Sequence, residues 1–184
     1  MNKLIILDRD GVINQDSLEY IKSPDEFLFL PGSIQAIVRL NQAGYTVAVA
    51  TNQSGIARGL YDENILAAIH EKMHRHIEAA GGDIAVTAYC PHMPEAGCAC
   101  RKPQPGMLHM ISKKLGQSLR HAIMVGDRMT DILVAKAADV RPMLVLSPMT
   151  NHTQLVNFSD VPQFKSLAAC VDEILMPVCQ TSEA

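Results

Sequence analysis

Short apolar runs alternate with segments of helical periodicity along most of this 184-residue chain. Five runs have the length and residue types of β-strands: residues 4–7, 46–51, 84–89, 122–126 and 143–146. The segments between them place apolar residues three and four positions apart, as a helix with one buried face requires. This alternation predicts a parallel sheet covered by helices on both faces, which is a three-layer α/β/α Rossmann-like fold.

The ends of the first two helices are indicated by residues that cap or terminate helices. Ser33, which follows a Pro-Gly pair, is predicted to be the N-cap of the first helix, and that helix is predicted to end at Gly44. The second helix is predicted to begin at Asp62 and to end at the glycine pair 81–82. Further helical patterns cover residues 107–116, 129–139 and, more weakly, 167–175.

Polar and charged side chains follow the first four predicted strands. The carboxyl ends of parallel strands lie at one edge of a sheet, and ligands of such folds bind there. Three carboxylates are therefore expected to meet a lysine and the polar residues 51–54 at this edge; they belong to Asp8, Asp10 and Asp127. Because crowded carboxylates repel one another, their convergence indicates a divalent cation, and oxygen ligands favour Mg²⁺.

These residue types suit phosphoryl transfer through a covalent intermediate. An aspartate can attack phosphorus and form an aspartyl-phosphate, which splits one difficult displacement into two easier ones. Two residues further along a strand, a second carboxylate lies on the same side and can protonate the leaving alkoxide. A hydroxyl and a lysine can bind the equatorial phosphoryl oxygens. A turn or a helix cap would explain any one of these segments, but not all of them in order at successive strand ends.

Four segments, "LDRDGV", "TNQSG", "RKPQPGM" and "VGDRMTD", resemble in order the motifs of the haloacid-dehalogenase (HAD) superfamily of aspartate-nucleophile phosphatases. The resemblance spans about residues 3–147. It implies that Asp8 is the nucleophile and that Asp10 is the general acid and base. It also implies that Thr51 and Lys102 stabilise the transferred phosphoryl group. Mg²⁺ would be bound by Asp8, Asp127 and the main-chain carbonyl of Asp10.

Substrate selection is expected to depend on loops rather than on a separate domain. Many members of the superfamily carry a cap domain, but only about twenty residues separate Asp10 from the first predicted helix, which leaves no room for one. We therefore expect an open site with substrate contacts from Asp16, Asn52, Gln53, Ser54, Arg58, Arg101 and Arg128. Asp16 could instead form a turn. Asp131 has the spacing of the second acidic position in the fourth motif, and the resemblance implies that this residue orients its neighbours rather than binding the metal directly.

Three cysteines and a histidine form a cluster, Cys-x-His-x5-Cys-x-Cys, just before the predicted catalytic lysine. Its members are Cys90, His92, Cys98 and Cys100. Four soft ligands in one short loop suit tetrahedral Zn²⁺ without an open position, which is a structural site. A thioredoxin-like redox pair would need two residues between its cysteines, and the odd total of five cysteines argues against a disulfide framework. The predicted role of this zinc is to hold Arg101 and Lys102 in place.

Two further histidines and two further cysteines are predicted to have structural roles rather than to bind metal. His70 and His74 share a helix face at a spacing that could bind a metal, but no third ligand is visible, which favours a solvated face. Cys170 is predicted to be a core thiol, and Cys179 an unpaired residue near the end of the chain.

Within the superfamily, the zinc loop followed by "CRKP" looks like two related groups. One comprises D,D-heptose 1,7-bisphosphate 7-phosphatases of bacterial surface-sugar biosynthesis, and the other comprises histidinol-phosphate phosphatases. "TNQSGIARG" matches the heptose group, because histidinol-phosphate enzymes usually have an acidic residue at Ser54 and lack the arginine at Arg58. The short zinc loop, and Arg128 where heptose enzymes often have lysine, point the other way.

The resemblance therefore favours Mg²⁺-dependent hydrolysis of the C7 phosphate of heptose 1,7-bisphosphate, in the synthesis of nucleotide-activated heptose for lipopolysaccharide. Hydrolysis of histidinol phosphate or of another small sugar phosphate is the alternative. A non-catalytic, zinc-structured phosphate-binding module is a third, but such a protein would be expected to lose Asp8 or Asp10, and both are present.

Composition narrows the possible partners. A net charge of −3 and a pI near 6.1 give no bulk attraction to nucleic acid. The N-terminal apolar run of four residues is too short for a signal peptide or a membrane span, which predicts a cytoplasmic protein without membrane contact. We expect a monomer with one domain over residues 1–184, comprising a zinc loop at 90–100 and a tail at 148–184 to which the sequence assigns no role.

Overall fold

A computed structural model describes residues 3–176 and contains a six-stranded parallel sheet. The strands are β1 (Leu4–Leu7), β2 (Thr46–Asn52), β3 (Val86–Cys90), β4 (Ile123–Gly126), β5 (Arg141–Val145) and β6 (Gln163–Phe164). The helices are α1 (Ser33–Gln42), α2 (Glu63–Ala79), α3 (Gly106–Leu115), α4 (Met129–Ala137), α5 (His152–Leu155) and α6 (Leu167–Leu175). Two 3₁₀ turns, Pro94–Ala96 and Val156–Phe158, complete the described structure.

The sheet has the order β3-β2-β1-β4-β5-β6, with β1 near its centre. Alternate residues of β1 face opposite sides: Ile5 and Leu7 pack with α1, α2 and α6, whereas Leu4 and Ile6 pack with α3 and α4. Both faces of the sheet are therefore covered, and the predicted three-layer α/β/α fold is confirmed.

All five predicted strands are present, with ends shifted by one or two residues for most of them. The second helix begins at Glu63, one residue after its predicted start at Asp62. Asp62 is its N-cap, since its Oδ1 accepts from the main-chain N–H of Ile65 at 2.8 Å. The prediction that Ser33 caps α1 is wrong. Gly32 occupies the N-cap position with φ of +78°, a left-handed conformation that glycine adopts without strain, and Ser33 is the first helical residue.

Residues 8–32, between β1 and α1, form an irregular loop rather than a layer of their own. Single bridges pair Asn14 with Asp10 on one side and with Phe29 on the other, which folds this loop back against the sheet edge. The described structure thus contains no separate cap over the carboxyl ends of the strands, in agreement with the prediction.

The tail has a defined structure from residue 148 to the end of the described residues at 176. It adds β6 beside β5, and α6 covers the range predicted as a weak helix. Arg39 Nη1 of α1 lies 2.7 Å from Asp172 Oδ1 of α6, which joins the tail to the first helix. Cys170 is a buried core residue as predicted, and Cys179 lies outside the described residues. None of the helices in residues 3–176 is long and apolar enough to span a membrane.

Candidate active site and metal centres

An open cavity of about 500 Å³ lies at the carboxyl ends of β1, β2 and β4. Eleven of the predicted site residues line it: Asp8, Asp10, Asp16, Thr51, Asn52, Gln53, Ser54, Arg58, Arg101, Lys102 and Arg128. Asp127 is fully buried beside this cavity, where its carboxylate approaches that of Asp8. The sheet topology therefore brings together residues that are more than 100 positions apart in sequence.

Lys102 lies buried between two carboxylates at the base of the cavity. Its Nζ is 2.9 Å from Asp8 Oδ1 and 2.6 Å from Asp131 Oδ1. Burial opposes its positive charge, but Asp131 and Asp8 outweigh that effect and raise the pKa of Lys102, so the side chain stays cationic. Asn52 fixes the lysine's main chain, because its side-chain amide donates to the carbonyl and accepts from the N–H of Lys102, both at 3.1 Å.

Asp131 contacts two of its neighbours, and the orienting role that the resemblance implies for it stays a prediction. Besides pairing with Lys102, it accepts a hydrogen bond from the main-chain N–H of Arg128 at 3.0 Å through Oδ2. A Cβ atom on Gly126 would lie 2.1 Å from the Cβ of Asp131, so only glycine permits this approach. The carboxylate is 1% exposed and needs the lysine as its counter-charge.

Oxygen atoms of Asp8, Asp127 and Asp131 all lie within 4.8 Å of one another, and all three residues are buried. Burial raises the pKa of Asp8 well above its usual range, opposed by Lys102 and reinforced by the other two carboxylates. Burial and then the charge of Asp131 raise the pKa of Asp127 to about 7. Asp127 Oδ1 has no hydrogen-bond partner within residues 3–176. An unpartnered carboxylate oxygen among crowded acids fits Mg²⁺, which prefers oxygen ligands.

Two residues that the sequence analysis missed hold Asp127 in place. Ser147 Oγ donates to Asp127 Oδ2 at 2.6 Å, and Thr150 Oγ1 donates to the main-chain carbonyl of Asp127 at 2.8 Å. Both come after β5, whose carboxyl end lies at the same sheet edge. Ligand-binding residues are expected directly after the strands of such a sheet. Inspection of the residues that follow the fifth predicted strand would therefore have found Ser147 and Thr150.

Asp10 lies in the cavity, but not for the predicted reason. β1 ends at Leu7, so the two-residue period of a strand does not extend to Asp10, and that part of the prediction is wrong. Its carboxylate instead accepts hydrogen bonds from Arg9, from Asn14 Nδ2 at 2.9 Å and from Gln53 Nε2 at 2.9 Å. Burial alone would raise the pKa of Asp10, but Arg9 and these donors lower it, so the group rests as a carboxylate.

The cavity rim carries the three arginines predicted to contact substrate. Arg128 forms a close ion pair with the Oδ2 atom of Asp16. The Oδ1 atom of Asp16 accepts a hydrogen bond from the main-chain N–H of Ser17, so Asp16 both lines the cavity and forms a turn. The Arg58 guanidinium lies 5.8 Å from the ring centroid of Tyr20. Arg101 Nη1 donates to the main-chain carbonyl of His92 at 3.0 Å, and this bond links it to the cysteine cluster.

The cysteine cluster has the dimensions of a tetrahedral zinc site. Its sulfur atoms lie 3.2 to 3.6 Å apart, and His92 Nδ1 lies 3.3 Å from Cys100 Sγ and 3.5 Å from Cys90 Sγ. Zn–S bonds of about 2.3 Å at tetrahedral angles separate the sulfurs by about 3.8 Å, so a small adjustment of the loop around the ion completes the geometry. Four converging ligands leave no open position, which fits structural Zn²⁺.

His70 and His74 do not form a second metal site in the described structure. His70 is buried with Nε2 3.3 Å from Arg9 Nη1, and burial followed by that positive charge lowers the pKa of His70 to about 3. His74 Nε2 lies 2.9 Å from Thr87 Oγ1. The predicted solvated face is thus wrong for His70, because α2 turns this residue towards the sheet.

Comparisons with known proteins agree with this geometry. A family model of HAD-hydrolase-like proteins matches residues 99–170. A D-glycero-beta-D-manno-heptose-1,7-bisphosphate 7-phosphatase of Pseudomonas aeruginosa is 54% identical over 142 residues, which are 77% of this chain and 80% of that relative. A Pseudomonas putida protein of the same name is 45% identical over 177 residues, which are 94% and 99% of the two chains.

A crystal structure of D,D-heptose 1,7-bisphosphate phosphatase from Bordetella bronchiseptica, complexed with magnesium and phosphate, is similar over nearly the whole chain. The TM-score is 0.87 at 47% identity, and the match covers 94% of this chain and 98% of the other. The similarity therefore includes the tail that follows β5.

Replacing Cys98 or Cys100 with serine should lower bound zinc and activity together while the far-UV circular dichroism stays near that of the wild type. The four ligands span eleven residues, so zinc organises a local loop, and that loop leads into Lys102. A displacement near 1 Å at such a position costs about 10²-fold in rate. Metal analysis and kcat measure the two effects.

The matched control for this loss of a thiol is Cys170→Ala, which removes a buried thiol far from the loop and should keep the zinc. Full activity in a protein shown to be free of zinc would refute the structural role. Activity restored by zinc without ordering of the loop would identify a catalytic metal instead.

Affinity for Mg²⁺ should fall as the pH is lowered through 7. The cation needs Asp127 as a carboxylate, and the pKa of this group without metal is about 7, so protons compete with Mg²⁺ below that pH. One competing proton with this pKa weakens binding about tenfold between pH 8 and pH 6. Calorimetric titration at both pH values measures the change, and a dissociation constant that is the same at both would contradict it.

Proposed function

The chain belongs to the D-glycero-D-manno-heptose-1,7-bisphosphate 7-phosphatase family of HAD-like hydrolases, and from this membership we propose that it removes the C7 phosphate of that sugar. The products are heptose 1-phosphate and inorganic phosphate. The observation that carries the proposal is the buried Asp8–Lys102 pair, which opens onto a cavity wide enough for a bisphosphorylated sugar. The named relatives add the β anomer as the proposed substrate.

The first step uses Asp8 as the nucleophile. Lys102 and the main-chain N–H of Arg9 hold Asp8 Oδ1 at 2.9 and 2.7 Å, so we assign the attack on phosphorus to Oδ2. As the new bond forms, the bond from phosphorus to O7 breaks, and Asp10 donates a proton to O7. Asp10 rests as a carboxylate, so it must first take up this proton, either from the monoanionic phosphate ester or from solvent. The charge of the arriving phosphate favours that uptake, because a like charge disfavours the carboxylate.

The second step releases phosphate. Asp10, again a carboxylate, takes a proton from a water molecule whose oxygen attacks the phosphorus of the aspartyl-phosphate. The bond from phosphorus to Asp8 Oδ2 breaks, which regenerates the Asp8 carboxylate, releases inorganic phosphate and leaves Asp10 protonated for the next turnover. Lys102 and the Thr51 hydroxyl stabilise the equatorial oxygens in both steps. Mg²⁺ held by Asp8, Asp127 and the main-chain carbonyl of Asp10 would offset the repulsion between the carboxylate and the phosphate.

The open site must hold the second phosphate with fixed charges. Arg58 and Arg101 line the cavity, and each is steadied from behind, one by the Tyr20 ring and the other by the His92 carbonyl. We assign them to the C1 phosphate, since guanidinium groups bind phosphate oxygens in pairs. Zn²⁺ in the cysteine cluster would set the position of Arg101 and Lys102. The single domain over residues 1–184, the monomeric state and the cytoplasmic location stay predictions.

A panel of phosphate esters tests the substrate. The β anomer of heptose 1,7-bisphosphate should give the highest kcat/KM, above the α anomer, fructose 1,6-bisphosphate and histidinol phosphate. Loss of a matched charged contact lowers kcat/KM by about 10²-fold or more, so histidinol phosphate, which has no second phosphate, should be a poor substrate. An equal or higher kcat/KM for histidinol phosphate would refute the heptose assignment.

Two variants show whether the measured turnover comes from this protein or from a contaminating phosphatase. Asp8→Asn should remove all turnover because an amide is a poor nucleophile, whereas Asp10→Asn should slow turnover by about 10²–10⁴-fold. Residual activity of several per cent in Asp8→Asn would exclude the covalent mechanism.

Replacing Arg58 or Arg101 with alanine should raise KM for the bisphosphate more than it lowers kcat. A charged hydrogen bond contributes about 1.5–3 kcal/mol, which corresponds to a rise of about ten- to a hundredfold in KM. A small monophosphate should be affected far less. Zinc content should be measured for Arg101→Ala, because this side chain contacts the cluster.

The matched control for the two arginines is Arg120→Ala. Arg120 is exposed and precedes β4, at the opposite edge of the sheet from the cavity, so its removal should leave both kinds of substrate unaffected. Equal losses on bisphosphate and monophosphate in the Arg58 and Arg101 variants would mean that these arginines act on the transferred group or on folding.

A further inference from the structure

The side-chain amide of Gln53 is buried at the end of β2 and is held from both ends. On one side, the Tyr61 hydroxyl donates to Oε1 at 2.7 Å and Arg9 Nη2 donates to the same atom at 3.2 Å. A guanidinium group can only donate, so the atom that faces it must be the amide oxygen. These two donors therefore decide which way the amide points.

The other end of the amide reaches two predicted catalytic residues. Gln53 Nε2 lies 2.9 Å from Asp10 Oδ2 and 2.8 Å from Thr51 Oγ1, so one hydrogen of the NH₂ group goes to each. Because Thr51 Oγ1 accepts this hydrogen, its own hydroxyl hydrogen is left to point at a phosphoryl oxygen in the cavity. A single amide thus sets the distance between Asp10 and Thr51 and the direction of the Thr51 donor.

Tyr61 contacts Gln53 and is not among the residues that line the cavity. It is 8% exposed, and burial raises the pKa of Tyr61 to about 12, so the phenol keeps its proton and remains a donor at working pH. A Cβ atom on Gly55 would lie 2.2 Å from the Tyr61 ring. The glycine of the "TNQSG" segment is therefore what lets this ring reach the glutamine.

We propose that Tyr61 is a positioning residue for the proton transfer: its hydroxyl orients the Gln53 amide, which holds Asp10 in place as the proton donor. This inference rests on the proposed function, because it takes from it the role of Asp10 as proton donor. Packing alone is the competing explanation, since a buried tyrosine also fills space.

The leaving group of the substrate distinguishes positioning from packing. A sugar alkoxide leaves only when it receives a proton, whereas the p-nitrophenolate of p-nitrophenyl phosphate is stable and needs little help from a general acid. Displacement of Asp10 should therefore slow the sugar ester more than the aryl ester. Displacement of Thr51, or a loss of folded protein, should slow both esters by the same factor.

Tyr61→Phe keeps the ring and removes the hydroxyl, and kcat/KM reports the step in which the leaving group departs. Loss of one buried hydrogen bond should lower kcat/KM for heptose 1,7-bisphosphate about tenfold and for p-nitrophenyl phosphate no more than about threefold. Tyr45→Phe is the matched control: it removes the same atom from a ring outside the cavity and should change neither value. Equal losses on the two esters, or no loss on either, would overturn the inference.

A double-mutant cycle tests whether Tyr61 acts through Gln53. Gln53→Met replaces the amide with an apolar side chain of similar length, and in that background Tyr61→Phe should lower kcat/KM by less than about twofold. Independent losses that multiply would show that Tyr61 acts by another route and would also overturn the inference. Thermal unfolding of each variant shows that the comparison is made on folded protein, and the single Tyr61→Phe variant decides the matter if Gln53→Met does not fold.

Failure of the proposed function has a different signature. If the wild type does not hydrolyse heptose 1,7-bisphosphate, the function is wrong, and the comparison of esters is then made with an alkyl phosphate that the wild type does hydrolyse. A selective loss of alkyl-ester hydrolysis in Tyr61→Phe would still support the positioning role, and an equal loss would refute it.

Discussion

The rest of this structure depends on one interaction: the buried ion pairs that Lys102 forms with Asp8 and with Asp131. The lysine side chain is 1% exposed, so water cannot compensate its charge, and the two carboxylates must do so. Removing one partner from a buried ion pair costs about 3–5 kcal/mol, because the remaining charge is left without a counter-ion. In the proposed mechanism, the same contact keeps the attacking carboxylate of Asp8 next to the lysine that stabilises the transferred phosphate, so folding and catalysis would use the same atoms.

The support for Lys102 comes from several different parts of the chain. Asn52, at the end of β2, holds its main chain, and the cysteine cluster ends two residues before it. Gly126, at the end of β4, leaves the space that Asp131 needs. Because these supports lie at the ends of different strands, the lysine reaches its position only when the strands are in register. A change in any one of these supports is expected to appear first as a loss of activity.

The excess of negative charge beside Lys102 has a second consequence. One lysine cannot neutralise Asp8, Asp127 and Asp131 together, and burial already raises the pKa of Asp8 and Asp127. A divalent cation relieves this repulsion, so binding of Mg²⁺ should stabilise the fold as well as permit the chemistry. Ser147 and Thr150 hold Asp127 from the segment after β5, so residues 147–150 support the candidate metal centre.

The sequence by itself predicted five of the six strands and five of the six α-helices that the structure describes, the four motif segments and the cysteine cluster, because these depend on local periodicity, spacing and residue type. It did not determine how Asp10 reaches the cavity, since β1 ends at Leu7 and the hydrogen bonds that place Asp10 come from a loop and from the end of β2. Nor did it reveal the support of Asp127 by Ser147 or of Gln53 by Tyr61. These contacts join residues whose separation along the chain follows no pattern, and only the packing of parallel strands brings their side chains within hydrogen-bonding distance.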